Sequence, residues 1–366
     1  MKRKFLIKAF VLIFVALVFL PSISFAQTNS LNSNEDQNSS NPAPTIDQIK
    51  ALQTAMNKIE ISMSASPELP KPGQLVTVTL SSPGSDLLTE TISWYLNGKL
   101  VDSKRGLNKF SFTASSLGKT TLVSVTVTND GGQAGEASLS LKSNEVVLIW
   151  EADSYVPPFY KGKALPPMNG IVRTIAIPEV IGPVGKKVSP NNLNFNWKLN
   201  GAYKKNDSGV GKDSFYYIDD QYVTNGNLVS VEVSTFDGSA SAKDSTYIKQ
   251  FAPKILFYSD NITLGRLNNL AINSFIYTSD TMTKISAEPY FFSYHRTSPN
   301  LQYSWQIDGT TVTLYGPVMD LSKLSSGPSL FSSITLNIKN SVNFLQGAGG
   351  SIGLKPETTN TETTSN

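Results

Sequence analysis

The chain contains no cysteine and a single histidine, His295, in 366 residues. The first absence removes disulfides, a thiol nucleophile and a lipid-modified cysteine behind a leader. The two together remove the usual zinc donor sets. No Ser-His-Asp or Cys-His arrangement can be assembled around one histidine in Tyr294-His295-Arg296-Thr297, which reads as an exposed turn. Long apolar runs are also missing after the first 26 residues, so no transmembrane helix is expected beyond that point.

Those first 26 residues have their own logic. Lys2, Arg3, Lys4 and Lys8 form a basic start, Ala9 to Leu20 is continuously apolar, and Pro21 interrupts it. Ser24-Phe25-Ala26 places small residues where a signal peptidase reads them, so the pattern predicts a secretory signal peptide cleaved after Ala26. The apolar run is short of the roughly 20 residues that span a bilayer. The expected localisation is therefore secreted or cell-surface. Four of the 31 Lys+Arg residues and none of the 28 Asp+Glu fall in this leader, leaving 27 basic against 28 acidic residues. A near-neutral mature chain lacks the electrostatic footprint of a nucleic-acid binder, and pairs such as Lys186-Lys187 read as solvated loop charges.

Residues 27–44, rich in Ser, Asn and Gln, cannot bury enough apolar surface to order themselves, and residues 346–366 read as a flexible tail. Between 45 and 60 the signal is helical. Thr45 and Gln48 fit a capping box, and Ile49, Leu52, Met56 and Ile59 recur at three- and four-residue steps.

From residue 59 onward the chain repeats. Trp94-Tyr95-Leu96-Asn97-Gly98, Trp197-Lys198-Leu199-Asn200-Gly201 and Trp305-Gln306-Ile307-Asp308-Gly309 share one pattern. Trp and the aliphatic residue two later face the same side of a strand, and Asn-Gly or Asp-Gly suits the positive φ angles of a type I′ hairpin. Trp94, Trp197 and Trp305 are therefore expected in cores. Ala65-Ser66-Pro67, Ala176-Ile177-Pro178 and Ala287-Glu288-Pro289 form a second anchor, each closing an alternating run, and proline there suits the end of an edge strand. The third anchor is Leu122 to Val127, Leu228 to Val233 and, more loosely, Ser333 to Ile338, each alternating apolar and polar. Apolar strands at Val146–Glu151 and Lys254–Ser259 read as extra lead-ins to the second and third copies.

A period near 110 residues suits a sandwich of about 100 residues. The hairpins and the later alternating strand make the chain resemble the immunoglobulin-like and PKD-like domains of bacterial and archaeal surface proteins. It departs from antibody-type domains in lacking an inter-sheet disulfide and from PKD domains in lacking their Gly-Asp-Gly turn. The expected fold is all-β, with three tandem immunoglobulin-like β-sandwich domains at 59–143, 145–250 and 253–345, preceded by a short helix. The resemblance implies a surface-displayed structural, adhesion or interaction module.

No catalytic, cofactor or metal residues are nominated. Asp219-Asp220, flanked by Tyr216, Tyr217 and Ile218, reads as a turn between strands, and Asn129-Asp130-Gly131 as turn chemistry in place of a calcium cage. The most unusual segment runs from Tyr155 to Pro167, with diprolines at Pro157-Pro158 and Pro166-Pro167. Tyr155, Phe159, Tyr160, Lys161 and Lys163 form the candidate interaction surface. One reading is an exposed aromatic platform for a sugar or peptide. The other is a crossover covering the seam between the first and second domains. The expected partner is an unidentified protein or polysaccharide at the cell surface.

Overall fold

The computed structural model describes residues 45–49, 58–132, 134–220, 226–261, 264–277, 284–293, 300–313, 316–321 and 333–356. Residues 46–49 are helical, and the cap forms as reciprocal bonds: Thr45 N–H donates to Gln48 Oε1 at 2.9 Å and Gln48 N–H to Thr45 Oγ1 at 3.3 Å. Leu52 and Met56 lie outside the described residues. The helix does not reach residue 60. Lys58 already bridges Ala134, and Ile59 N–H donates to Ala134 O at 2.9 Å. Ile59 is 3% exposed in the first core, a deeper burial than a two-heptad helical stripe offers it.

Twenty-four strands follow among the described residues. The first seven are β1 (Ser62–Ser66), β2 (Leu75–Ser81), β3 (Thr91–Leu96), β4 (Lys99–Arg105), β5 (Lys109–Thr113), β6 (Thr120–Thr128) and β7 (Ala134–Lys142). They form the sheets β1-β2-β5 and β4-β3-β6-β7. Their facing sides share one core containing Val76, Val78, Ile92, Trp94, Val123 and Val125. A three-stranded and a four-stranded antiparallel sheet closed over one core, with chain order crossing between them, is an immunoglobulin-like sandwich.

The arrangement recurs. Next come β8 (Glu145–Ala152), β9 (Ile171–Glu179), β10 (Asn194–Leu199), β11 (Ala202–Tyr203), β12 (Gly209–Val210), β13 (Ser214–Ile218), β14 (Asn227–Ser234) and β15 (Ser241–Ile248). They pair as β13-β9-β8 and β11-β10-β14-β15, with β12 beside β10, around Trp197. The last group is β16 (Lys254–Asn261), β17 (Gly265–Arg266), β18 (Ser274–Tyr277), β19 (Lys284–Tyr290), β20 (Leu301–Ile307), β21 (Thr310–Val312), β22 (Val318–Asp320), β23 (Ser333–Asn340) and β24 (Gly347–Pro356). These pair as β17-β16-β19-β22 and β18-β24-β23-β20-β21 around Trp305.

Each tryptophan is 0% exposed, and each indole Nε1–H finds the same kind of partner. Trp94 donates to Leu107 O at 2.8 Å, Trp197 to Lys212 O at 2.9 Å and Trp305 to Gly316 O at 3.0 Å. Each acceptor lies just ahead of β5, β13 or β22, the edge strand of the opposite sheet, so the bond ties the two sheets together. Burying an indole of roughly 200 Å² at about 25 cal/mol/Å² stabilises each core by about 5 kcal/mol before the loss of side-chain freedom.

The hairpin after each tryptophan is also fixed twice. Asn97, Asn200 and Asp308 have φ of 51°, 51° and 47°, each followed by a glycine at positive φ, as a type I′ turn requires. Their side chains then reach the neighbouring strand. Leu122 N–H donates to Asn97 Oδ1 at 3.0 Å, Leu228 N–H to Asn200 Oδ1 at 2.8 Å and Ser333 N–H to Asp308 Oδ1 at 2.8 Å.

Three sequence expectations change. The Ala-x-Pro anchor does not mark one equivalent strand: Ala65 lies in the edge strand β1, while Ala176 and Ala287 lie in β9 and β19, the middle strands. The prolines are tolerated because β13 pairs β9 only to Ile175, and β22 pairs β19 only to Ser286. Pro178 and Pro289 thus have a partner strand on one side alone. The lead-in strands β8 and β16 are not extra, because they occupy the place of β1. Finally, the third sandwich does not end at 345. Gly347–Pro356 is β24, with Ile352 and Leu354 in the core. Its glycines weaken the strand signal, yet a Cβ on Gly350 would lie 2.8 Å from the Phe257 ring, so the close approach needs glycine.

Replacing Asn200 with Ala should destabilise the second sandwich by about 1–2 kcal/mol, through a positive φ that alanine resists and loss of the exposed bond from Leu228 N–H. Guanidinium unfolding followed by tryptophan fluorescence reads this, and an unchanged midpoint would contradict the role given to the side chain.

Candidate functional site

The diproline segment is seated, not displayed. Tyr155 N–H donates to Phe292 O and Phe291 N–H to Tyr155 O, both at 2.7 Å, so the segment adds a short antiparallel bridge beside the third sandwich. Phe159 meets Tyr258 edge-on with ring centres 5.3 Å apart, and Tyr160 meets Tyr290 at 5.4 Å. Tyr258, Tyr290 and Phe291 are buried beneath them. Phe159 and Tyr160 are half-buried against Tyr258, Tyr290 and Phe291, not displayed as a free platform, and Tyr155 is half-buried beside Glu288. The seam they cover lies between the second and third sandwiches, not the first and second. Lys163 places its ammonium 3.1 Å from the centre of the Trp150 ring, and partial desolvation there lowers its pKa, while Lys161 and Lys163 both remain exposed.

Further bonds complete this strap. Phe251 N–H donates to Pro166 O at 2.9 Å, and Gln346, fully buried, donates from Nε2 to Met168 O at 2.6 Å. Tyr155 OH reaches Glu288 Oε2 at 3.4 Å, and Arg266 pairs with both Asp260 and Glu288.

The first seam is tighter in sequence. Only Ser143 and Asn144 separate β7 from β8. Asn144 is 2% exposed, and its Oδ1 accepts from Ile181 N–H at 2.9 Å. Lys142 Nζ donates to Gly182 O at 3.0 Å, and Lys71 pairs with Asp244 at 2.8 Å. Gly118 sits at φ +75° with Ile181 packed where a Cβ would stand, at 2.7 Å, so no larger residue fits.

The second sandwich also carries an open groove of about 1250 Å³ at one end, bordered by β8, β9, β13 and the β10–β11 hairpin. The hairpin at its rim is interrupted. Where β4 runs as one strand from Lys99 to Arg105 along β3, its counterpart along β10 is split into β11, Ala202–Tyr203, and β12, Gly209–Val210. The chain then bulges outward, held because Trp197 N–H donates to Ser208 Oγ at 2.9 Å and Ser208 donates to Lys204 O at 2.8 Å. The bulge carries Lys204 and Asp207 to the rim. On the opposite wall, Tyr216, Arg173 and Glu151 stand in one cross-strand row. Arg173 lies 5.5 Å from the Tyr216 ring centre and pairs with Glu151 at 3.3 Å.

Behind the groove, Asp219 is 0% exposed. Its Oδ1 accepts from Asn227 Nδ2 at 2.7 Å, and Asn227 Oδ1 accepts from Asn200 Nδ2 at 2.7 Å. Burial pushes the Asp219 carboxyl above its usual pKa, the Asp220 charge adds to this, and hydrogen bonds from Asn227 and Gln250 oppose it. The Tyr217 phenol is pushed up by burial and by the Asp219 charge.

Among the described residues, no group of three or more His, Cys, Asp or Glu side chains gathers to hold a metal ion, and no helix is long and apolar enough to cross a membrane. His295 lies outside the described residues.

No protein-family model and no curated protein matches the chain in sequence. Among solved structures it is similar to the fibronectin(III)-like modules of Clostridium thermocellum CbhA, at 12% identity and a TM-score of 0.24, covering 52% of this chain and 95% of that one. It is also similar to three N-terminal domains of the bacteriophage RB49 Highly Immunogenic Outer Capsid protein, at 12% identity and 0.24, covering 82% and 98%. A bacterial ice-binding adhesin, described for host cell surface retention, overlaps at 10% identity and 0.21, covering 82% and 99%. The fold assignment rests on the strand order above and not on these overlaps.

A carboxyl with a raised folded pKa holds its proton more readily folded than unfolded. Its fold is therefore penalised at neutral pH and regains stability as pH falls through the folded value, fully so below the unfolded value of about 3.9. Between pH 7 and 4 the wild type should gain stability relative to Asp219→Asn. Denaturant titrations at both pH values read the difference, and an identical pH response in the two proteins would contradict it.

Proposed function

We propose that the chain is an exported, non-enzymatic surface protein that acts as a spacer or adhesion module. The observation that carries this reading is the construction of the two seams. One is a two-residue connection whose Asn144 bonds Ile181 N–H and, at 3.4 Å, Ser241 O of the second sandwich, with Lys142–Gly182 and Lys71–Asp244 crossing the seam beside it. The other is a strap of diproline-stiffened chain pinned by backbone bonds and by edge-on ring contacts. An enzyme needs convergent titratable groups at one cleft, whereas a spacer needs fixed relations between successive sandwiches. Within this proposal the first 26 residues are a cleaved leader. The sandwiches occupy 59–143, 145–250 and 253–356, extended by β24. Kinship with PKD-like domains belongs to the same proposal. The partner is a protein or polysaccharide outside the cell, bound at a surface other than the seated rings of Phe159 and Tyr160.

Export and display are tested together. The mature protein should begin at Gln27 by mass spectrometry, and an antibody against the folded chain should label intact cells or recover the protein from the medium. A full-length chain beginning at Met1 and confined to the cytoplasm would overturn the reading.

A further inference from the structure

The repeats supply an internal control, because strand register aligns the first and second sandwiches residue by residue. Trp94 stacks on Phe110 with ring centres 5.6 Å apart, and Trp197 packs on Phe215 at 5.0 Å, which equates β5 with β13. Phe112 then corresponds to Tyr217, and Ala114 to Asp219. On the outer face, the first sandwich carries the row Ser111, Thr77 and Ser66, and the second carries Tyr216, Arg173 and Glu151. Thr113, next on that face, corresponds to Ile218. The same framework is thus apolar inside and small outside in one copy. In the other it is polar inside, with a large ring and charges outside.

This exchange does not serve stability. Among the described residues, five buried side-chain polar atoms lack a hydrogen-bond partner, and three are Arg173 Nε, Tyr217 OH and Asp219 Oδ2. Each such group costs about 1–3 kcal/mol when left unpaired. Tyr217 is only 6% exposed and lines the groove, whereas Phe112 fills the same place in the first sandwich with no such penalty. Tyr216 is 59% exposed above it, steadied by the Arg173 guanidinium.

We propose that this groove is a saccharide-binding site for a neutral, hydroxyl-rich oligosaccharide. The inference goes beyond the spacer reading, which stands on the seams and survives if the groove is empty. Two of the unpaired atoms belong to residues that line the groove, the Arg173 Nε–H donor and the Tyr217 hydroxyl, and sugar hydroxyls are ligand groups that satisfy both; Asp219 stays behind them. The exposed Tyr216 ring supplies a flat apolar face for a pyranose to stack on. Charge selects further: Glu151, Asp153, Asp207 and Asp220 outnumber Arg173 and Lys204 around the groove, which disfavours acidic glycans. The Asp219–Asn227–Asn200 chain of hydrogen bonds holds the amides at the rim in place before a ligand arrives, lowering the ordering cost of binding.

The test is native electrophoresis of the full mature chain through gels containing hydroxyethylcellulose, galactomannan, xylan or dextran, with polygalacturonate as the acidic comparison. At least one neutral polymer should retard the wild type, and polygalacturonate should not. Tyr216→Ala should weaken that retardation at least tenfold, while Tyr247→Ala, an exposed tyrosine on β15, should leave it intact. The double change Tyr217→Phe with Asp219→Ala restores the residues of the first sandwich, so it should fold, by tryptophan fluorescence, and still lose retardation. Migration unaffected by all four neutral polymers would overturn the proposal, as would full retardation of Tyr216→Ala. Capture of an extended peptide along β13, with the polysaccharides inert, would also overturn it and assign the groove to a protein partner.

Discussion

In each of the three cores an indole N–H leaves its own sheet and bonds to the carbonyl that precedes an edge strand of the facing sheet. Without a disulfide, this bond and the core packed around it tie the two layers to each other. A buried indole N–H must be paired or cost energy, so the geometry is obligatory once tryptophan occupies the centre of the strand. The turn that follows has little freedom either. Its Asn or Asp must accept positive φ and present an oxygen to the next long strand. One short sequence pattern therefore sets a core, a hairpin and a cross-strand contact at once.

Around that constant frame, variation concentrates where the frame does not need the residues. The connection between the edge and middle strands is short in the first sandwich, at residues 67–74, and long in the second, at 153–170. The longer version has become the strap against the third sandwich. The counterpart of β4 is split into β11 and β12, with the bulge between them on the rim of the groove, and Tyr217 and Asp219 stand where the first sandwich has Phe112 and Ala114. Stability lost to unpaired polar atoms in one sandwich is tolerable because its core still holds Trp197, Phe195, Phe215 and the valines of β14.

The hairpins were legible in the sequence because their chemistry is local: alternation, then a residue able to take positive φ, then glycine. The last strand was not, since Gly347 to Gly350 has weak strand propensity and only packing on Phe257 explains it. Spacing alone misled for Ala65 and Ala176, which lie in an edge and a middle strand respectively. The seat of Phe159 and Tyr160 was invisible because their partners Tyr258, Tyr290 and Phe291 lie far along the chain. Asp219 read as a turn residue, and its burial depends on Asn227 and Asn200 arriving from other strands. Comparing Tyr217 with Phe112 across the repeats was the available signal, and it requires the true strand register.

Hydrogen exchange of the indole Nε1–H protons tests the shared frame most directly. The chain has four tryptophans, and the account predicts that the three at positions 94, 197 and 305 exchange only through opening of their cores. In two-dimensional NMR after transfer to heavy water, those three resonances should persist for far longer than exposed amides. Loss of any one of them within the dead time would contradict the claim that the same inter-sheet tie closes every sandwich.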